Sequence, residues 1–490
     1  MIFAAALLFA LLQPGLTVQA NVRNFGAIGD GSTDDSAAIE TALANLTGGG
    51  ILLFPAPGAY AVSRAIHIRG MGITLRGEGM VSHACKDFGS SLLALSTSNS
   101  TLIVMDHCVS CAIEHLGLHG AAAAHRSTGT AACTKEASEL AAFAAQRRIR
   151  RGKPMTFHAL PPAGSDYADL PTTGSAVVLR GTFQTTLSFL WMSDAFAFVA
   201  MSEMANTITI ADVQIYNAYG PCAVCAAGAI LPPVGLPSAD TNRTRVDVLQ
   251  MTRITANNVV LAANASVVWL DVGGGVNTVR LDNVGLINGG TGVRMDSTSS
   301  DPPGFYPGRP LFVLANDLEI DFPSGNAIDL LSGEEVQLSN GYIQGAGSTT
   351  IVDRRKRNPS LGIGLRVGPR FNSELMVTNT RFFGHALQAI ELGGGAHASV
   401  SNNVLTENSI AKRGGASGIV VRANVSDFIL SANHIGDLAW AGASQRYGIE
   451  VQGGASDRYV VSSNTLTGNL HGGLSDGGGG KSKAVQGNVV

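Results

Sequence analysis

The chain has 490 residues, 60 of them glycine, with only 6% aromatic and 14% charged residues. So much glycine and so little charge exclude a helical bundle and suit a many-turned solenoid packed with Ala, Val and Ile. A formal net charge of -3 provides no global basic field, which argues against nucleic acid or an anionic membrane surface as a partner.

The first apolar stretch, Ile2 to Leu12, is too short to span a bilayer and leads to the small-residue site Val18-Gln19-Ala20. It reads as a signal peptide over residues 1–20, so the protein is expected outside the cell. No later segment is long and apolar enough for stable membrane insertion. The six cysteines, an even number in an oxidising compartment, favour disulfides over thiols or zinc; Cys108/Cys111 and Cys222/Cys225 are each CxxC. Five Asn-x-Ser/Thr sequons, at Asn45, Asn99, Asn242, Asn264 and Asn424, fit the same route. Two basic runs, Arg147 to Arg151 and Arg354 to Arg357, read as solvated loop charge or as protease-sensitive processing sites.

Residues 21–79 form the next unit. Thr33-Asp34-Asp35-Ser36 can cap a helix whose stripe is Ile39, Ala42, Leu43 and Leu46, ended by Gly48-Gly49-Gly50. Strand-like pieces follow at Ile51–Pro55, Tyr60–Val62 and Ile73–Gly79. A helix ahead of many short strands suits a cap over the open end of a solenoid.

Residues 80–490 read as the remaining coils, interrupted at about 121–171 by an Ala-rich helical piece and a Pro-rich loop that form an insertion. A small residue followed by aliphatic positions recurs around Gly292, Ala327, Gly364, Ala389, Gly418 and Gly448. Asparagines interleave at 283, 316, 340, 379, 403, 433 and 464, the last three spaced by 30 and 31 residues. One solenoid turn has such a period, and stacked asparagines can bond up the stack while tolerating the left-handed conformation at a turn.

Within the first repeat, strand alternation directs Arg294, Asp329, Arg366, Glu391, Val420 and Glu450 outward. In-register coils would stack them about 4.8 Å apart as a column of alternating charge. The column reads either as a structural ladder or as a groove in which Arg294, Arg366 and Glu450 bind substrate and Asp329 and Glu391 do acid-base work. Asp317, Glu319 and Asp321 are a second catalytic candidate, because alternate strand residues share a face at about 6.7 Å; three like charges there would raise a pKa or collect calcium.

The stretch Asn21 to Asp35 (NVRNFGAIGDGSTDD), then Gly49-Gly50-Ile51-Leu52-Leu53-Phe54-Pro55 and Gly58-Ala59-Tyr60, resembles the opening of the pectate-lyase-like superfamily, which includes rhamnogalacturonase, polygalacturonase and epimerase-like proteins. The resemblance implies an all-β chain folded as a right-handed parallel β-helix. It further implies a carbohydrate-active enzyme, a hydrolase or lyase with a polysaccharide substrate, and calcium if a lyase. A noncatalytic polysaccharide-binding or adhesin-like protein and a polysaccharide epimerase are the alternatives. The catalytic sets do not carry over. The polygalacturonase pattern leaves only Gly384-His385-Ala386, so His385 is expected to be a turn or surface histidine. Val268-Trp269-Leu270-Asp271 is similar to the Trp-Ile-Asp-His segment of calcium pectate lyases, but Val272 stands where that segment has histidine.

Overall fold

Strands of three to seven residues are too short to be stable alone, and parallel strands need a long connection before they can pair. Winding the chain into coils answers both needs, since each strand then pairs with its counterpart one coil away. The computed structural model describes residues 18–79, 89–95, 101–120, 175–193, 197–202, 204–218, 223–225, 245–258, 266–271, 276–296, 312–349, 357–371, 373–394, 397–437 and 442–490. Most of the signal segment, the insertion at about 121–171 and most of both basic runs lie outside these residues.

The strands pair in parallel and make three faces of a right-handed β-helix. Face 1 runs without a break from Ile66–Met71 through Ile103–Val109 and Ser175–Arg180 to Thr291–Asp296, Ile328–Gly333, Leu365–Phe371, Ile390–Leu392, Ile419–Val421, Tyr447–Gly454 and Gly472–Gly478. Face 2 begins at Gln19–Asn21 and ends at Lys483–Gln486; face 3 begins at Asp30–Asp34 and ends at His434–Ile435. The first strand, Gln19–Asn21, pairs with Ile51–Leu53, so the first coil already includes part of the small-residue stretch read as a cleavage site. One continuous core of aliphatic side chains fills the interior from Ala20 to Leu466.

The cap helix is Ser36–Ala44, with Ile39, Ala42 and Leu46 buried against the first coil and Leu43 packed beside them. Its capping differs from the expectation. Asp35, at the N-cap, makes no side-chain bond to the helix and instead accepts from the amides of Ile28 and Gly29 at 2.7 and 3.0 Å. Asp34 takes the helical amide of Ser36 at 3.0 Å and ties the helix to Ser63 Oγ at 2.6 Å.

The small position of the repeat has a steric cause. A Cβ at Gly364 would lie 2.5 Å from the Ala389 carbonyl and 2.7 Å from His385 Nε2, so the residue must be small wherever one coil's carbonyl presses on the next.

The asparagines occupy three positions rather than one. Asn283, Asn340 and Asn379, with φ of 53°, 57° and 51°, are the left-handed corner between faces 2 and 3. Asn403, Asn433 and Asn464 lie one residue past that corner, buried, each Nδ2 donating to the Oδ1 of the next at 3.0 Å and, from Asn464 to Asn488, at 2.9 Å. Asn316 sits one residue before the corner and accepts from Asn340 Nδ2 at 2.9 Å. Because a single left-handed residue makes this corner, strands such as Met204–Ala218, Arg245–Asn258 and Val276–Asn288 run unbroken across both faces.

Asn433→Ala removes a rung that accepts the Asn403 amide and donates to the Val400 carbonyl. It should destabilise the fold by about 2 kcal/mol in urea unfolding, because buried partners are left unsatisfied, whereas exposed Asn340→Ala should cost under about 1.

Candidate functional site: an arginine-fronted column on face 1

The outward column is in register through its whole length. Arg294 pairs with Asp329, Asp329 with Arg366, Arg366 with Glu391, Glu391 with Val420 and Val420 with Glu450. The flanking Ile328 and Leu330, or Leu365 and Val367, point into the core, so the column stands on the outer surface of the sheet.

Asp329 and Glu391 are nevertheless buried, each beneath an arginine, while Glu450 is half-buried. Arg366 grips Asp329 with two bonds, Nε to Oδ1 at 2.9 Å and an Nη to Oδ2 at 3.0 Å, and Asn326 adds a third at 2.8 Å. Glu391 accepts from Arg422 at 2.6 Å and from Gln388. Glu450 accepts from Ser417 Oγ at 2.6 Å, with Arg446 at 3.7 Å. Asp296, two residues beyond Arg294, takes Arg294 at 2.8 Å and Arg370 at 2.5 Å. The side chains of Arg366, Arg422 and Arg370 are 34%, 44% and 58% exposed, against 6%, 11% and 12% for Asp329, Glu391 and Asp296. Guanidinium groups therefore form the outer layer and carboxylates the inner one.

Asp329 and Glu391, the expected acid-base pair, are each engaged by an arginine in this arrangement. Both residues are anchors for arginine. Arg294 and Arg366 lie on the outer side of the sheet, and Glu450 is bonded to Ser417 and faces Arg446. Arg370, Arg422 and Arg446 were missed because they lie outside the repeat motif, on a bulge, just past a strand and at a strand entry.

The second candidate does not assemble as one carboxylate triad. Asp317, φ 52°, is the exposed left-handed corner, which ends strand alternation there. Glu319 and Asp321 lie beyond it on face 3, where Asp321 is buried and accepts from Gln344 Nε2 at 2.8 Å. Among the described residues no group of three or more His, Cys, Asp or Glu is placed to hold a metal ion.

His385 is a turn residue but not a surface one. It is fully buried, its Nδ1 accepts from the Ala346 amide at 3.2 Å, and burial pushes its pKa down to about 3. A depression of about 330 Å³ lined by Ser399, Phe428, Ile429 and Arg458 lies on face 2, away from the charged column.

Residues 19–128 match the family model described as rhamnogalacturonase A/epimerase, pectate lyase-like, and residues 268–490 match the model of the right handed beta helix region. The chain is a right-handed β-helix with a pectate-lyase-like opening. No curated protein matches the sequence. Among solved structures this β-helix is similar to the Streptococcus pneumoniae surface protein and adhesin PfbA, at 12% identity and a TM-score of 0.51, covering 96% of this chain and 100% of that one. The A-module of the Azotobacter vinelandii mannuronan C-5 epimerase AlgE4 matches at 12% identity and a TM-score of 0.45, covering 96% and 100%. At such identities the likeness is one of fold.

Arg366→Ala in this β-helix leaves Asp329 buried without its clamp. The cost should be about 2 kcal/mol in urea unfolding, between the ~0–1 of exposed pairs and the ~3–5 of buried ones. Asp329→Asn in the same chain should restore most of that loss; a double variant as unstable as the single one would deny the clamp.

The unfolded His385 imidazole takes a proton below about pH 6.5, while the folded one resists until about 3. Its contribution is therefore present above pH 6.5 and lost as pH falls through that window. Wild-type stability should drop more steeply between pH 6.5 and 3 than that of His385→Gln, measured by urea midpoints at each pH.

Proposed function

We propose that the chain is a secreted protein that binds an acidic extracellular polysaccharide along the C-terminal half of face 1 and cleaves it by β-elimination. The observation that carries this reading is the outer layer of Arg294, Arg366, Arg370, Arg422 and Arg446 above buried and half-buried carboxylates. Repeating guanidinium groups suit repeating sugar carboxylates, which they can meet with paired, charge-assisted hydrogen bonds. The pectate-lyase-like match over residues 19–128 supports a carbohydrate-active class.

Elimination is favoured over hydrolysis on the same geometry. Neutralising a uronate carboxylate with an arginine makes the adjacent C–H more acidic; a carboxylate of the column then takes that proton as the C–O bond to the leaving sugar breaks, and water protonates the leaving oxygen. Hydrolysis needs two carboxylates free to flank the glycosidic bond, and Asp329 and Glu391 are each engaged by an arginine. Binding without turnover is the second reading. It is favoured by the engagement of every column carboxylate by a neighbour.

Incubation of the secreted chain with a panel of acidic and neutral polysaccharides, with and without calcium, separates the classes. Unsaturated-product absorbance is the expected outcome. Reducing ends without absorbance would mean hydrolysis, altered uronate composition without cleavage would mean epimerisation, and retention alone would mean binding. Neither retention nor product on any acidic polysaccharide overturns the proposal. Arg422→Ala should weaken binding about tenfold, equivalent to ~1.4 kcal/mol, and added salt should weaken the wild type in the same direction.

A further inference from the structure

Cys108 and Cys111 bracket the corner between faces 1 and 2, with only Val109 and Ser110 between them. Ser110, φ 54°, turns the chain sharply. Both cysteines are thiols and both belong to the buried core. The two neighbouring thiols interact, which lowers the Cys111 pKa to about 7 and pushes that of Cys108 up.

The pair also touches face 1. Cys108 Sγ donates to the Ile68 carbonyl at 3.2 Å, and Cys111 Sγ lies 3.7 Å from the Gly70 carbonyl. These carbonyls flank Arg69, which bonds Asp106 at 2.8 Å from Nε, and Arg180 holds the same carboxylate at 3.0 Å.

We propose that Cys108 and Cys111 are a dithiol–disulfide couple whose oxidation state adjusts the backbone carrying Arg69, and so the Arg69–Asp106–Arg180 cluster on face 1. The oxidant is a small-molecule disulfide such as oxidised glutathione. The Cys111 thiolate attacks one of its sulfurs and releases a thiol; the Cys108 sulfur then displaces the second and forms the internal S–S bond. Two S–H bonds of the protein are lost, and two electrons and two protons pass to the reagent, which leaves as two thiols. Closing the bond removes the S–H donors from Ile68 and Gly70 on either side of Arg69. Burial makes the exchange slow, because the corner must open for the first attack. None of this depends on the polysaccharide reading.

The test equilibrates the full-length protein in glutathione buffers of graded oxidation, followed by denaturation, alkylation and mass spectrometry of the peptide containing both cysteines. The expected result is a peptide short of two hydrogens in oxidising buffer and a doubly alkylated one in reducing buffer. Hydrogen exchange of the 66–71 segment should differ between the two buffers, and Cys111→Ser should abolish that difference. Double alkylation at every ratio after prolonged incubation, or pairing of these cysteines with Cys85, Cys133, Cys222 or Cys225, overturns the couple. Identical exchange of the segment in both buffers overturns the link to Arg69. If Cys111→Ser fails to fold, Cys108→Ala takes its place, and the wild-type measurements still decide.

Discussion

Coil-on-coil stacking at about 4.8 Å governs nearly every local choice in this molecule. Each residue sits directly over its counterpart, so a coil's side chain is constrained by the coil on either side. Two like charges at that spacing would repel by about 3 kcal/mol at an effective dielectric of 20. The column avoids this by alternating Arg294, Asp329, Arg366 and Glu391, and Val420 then separates Glu391 from Glu450. The same constraint selects amide side chains for the buried rungs. An asparagine can donate to the rung on one side and accept from the other, which keeps polar groups satisfied where no water reaches.

How much of this was legible follows from where the periodic signal lies. The face 1 column could be read residue by residue because the aliphatic positions on either side anchor its register. The corner and rung asparagines were also separable in principle. Corner residues Asn340 and Asn379 precede the next inward side chain, Ile343 or Phe382, by three positions, whereas rung residues Asn403 and Asn433 precede Leu405 or Ile435 by two. Treating them as one column hid that offset. The Asp317 reading failed for the same physical reason, since alternation was carried through a residue that turns the chain. Arg370, Arg422 and Arg446 had no such signal, because loop and bulge residues follow no period.

The column's chemistry is shaped by what stacking demands of it. Carboxylates beneath arginines hold the arginines in place. The charge ladder and the ligand site are rival readings of one column, yet the observed layering is compatible with both. The inner layer supplies structure, and the outer layer meets whatever approaches face 1.

Arginine, rather than lysine, makes such a combination possible. A guanidinium has five N–H donors in a rigid plane, and Arg366 commits Nε and one Nη edge to Asp329. An ammonium held by a buried carboxylate would have its single charge centre drawn inward. A planar guanidinium, anchored along one edge, keeps donors directed away from the sheet while its orientation is fixed by the anchor. Preorganisation of this kind lowers the ordering cost of binding. On the proposed reading, a buried carboxylate thereby sets how the arginines of face 1 meet a negatively charged chain.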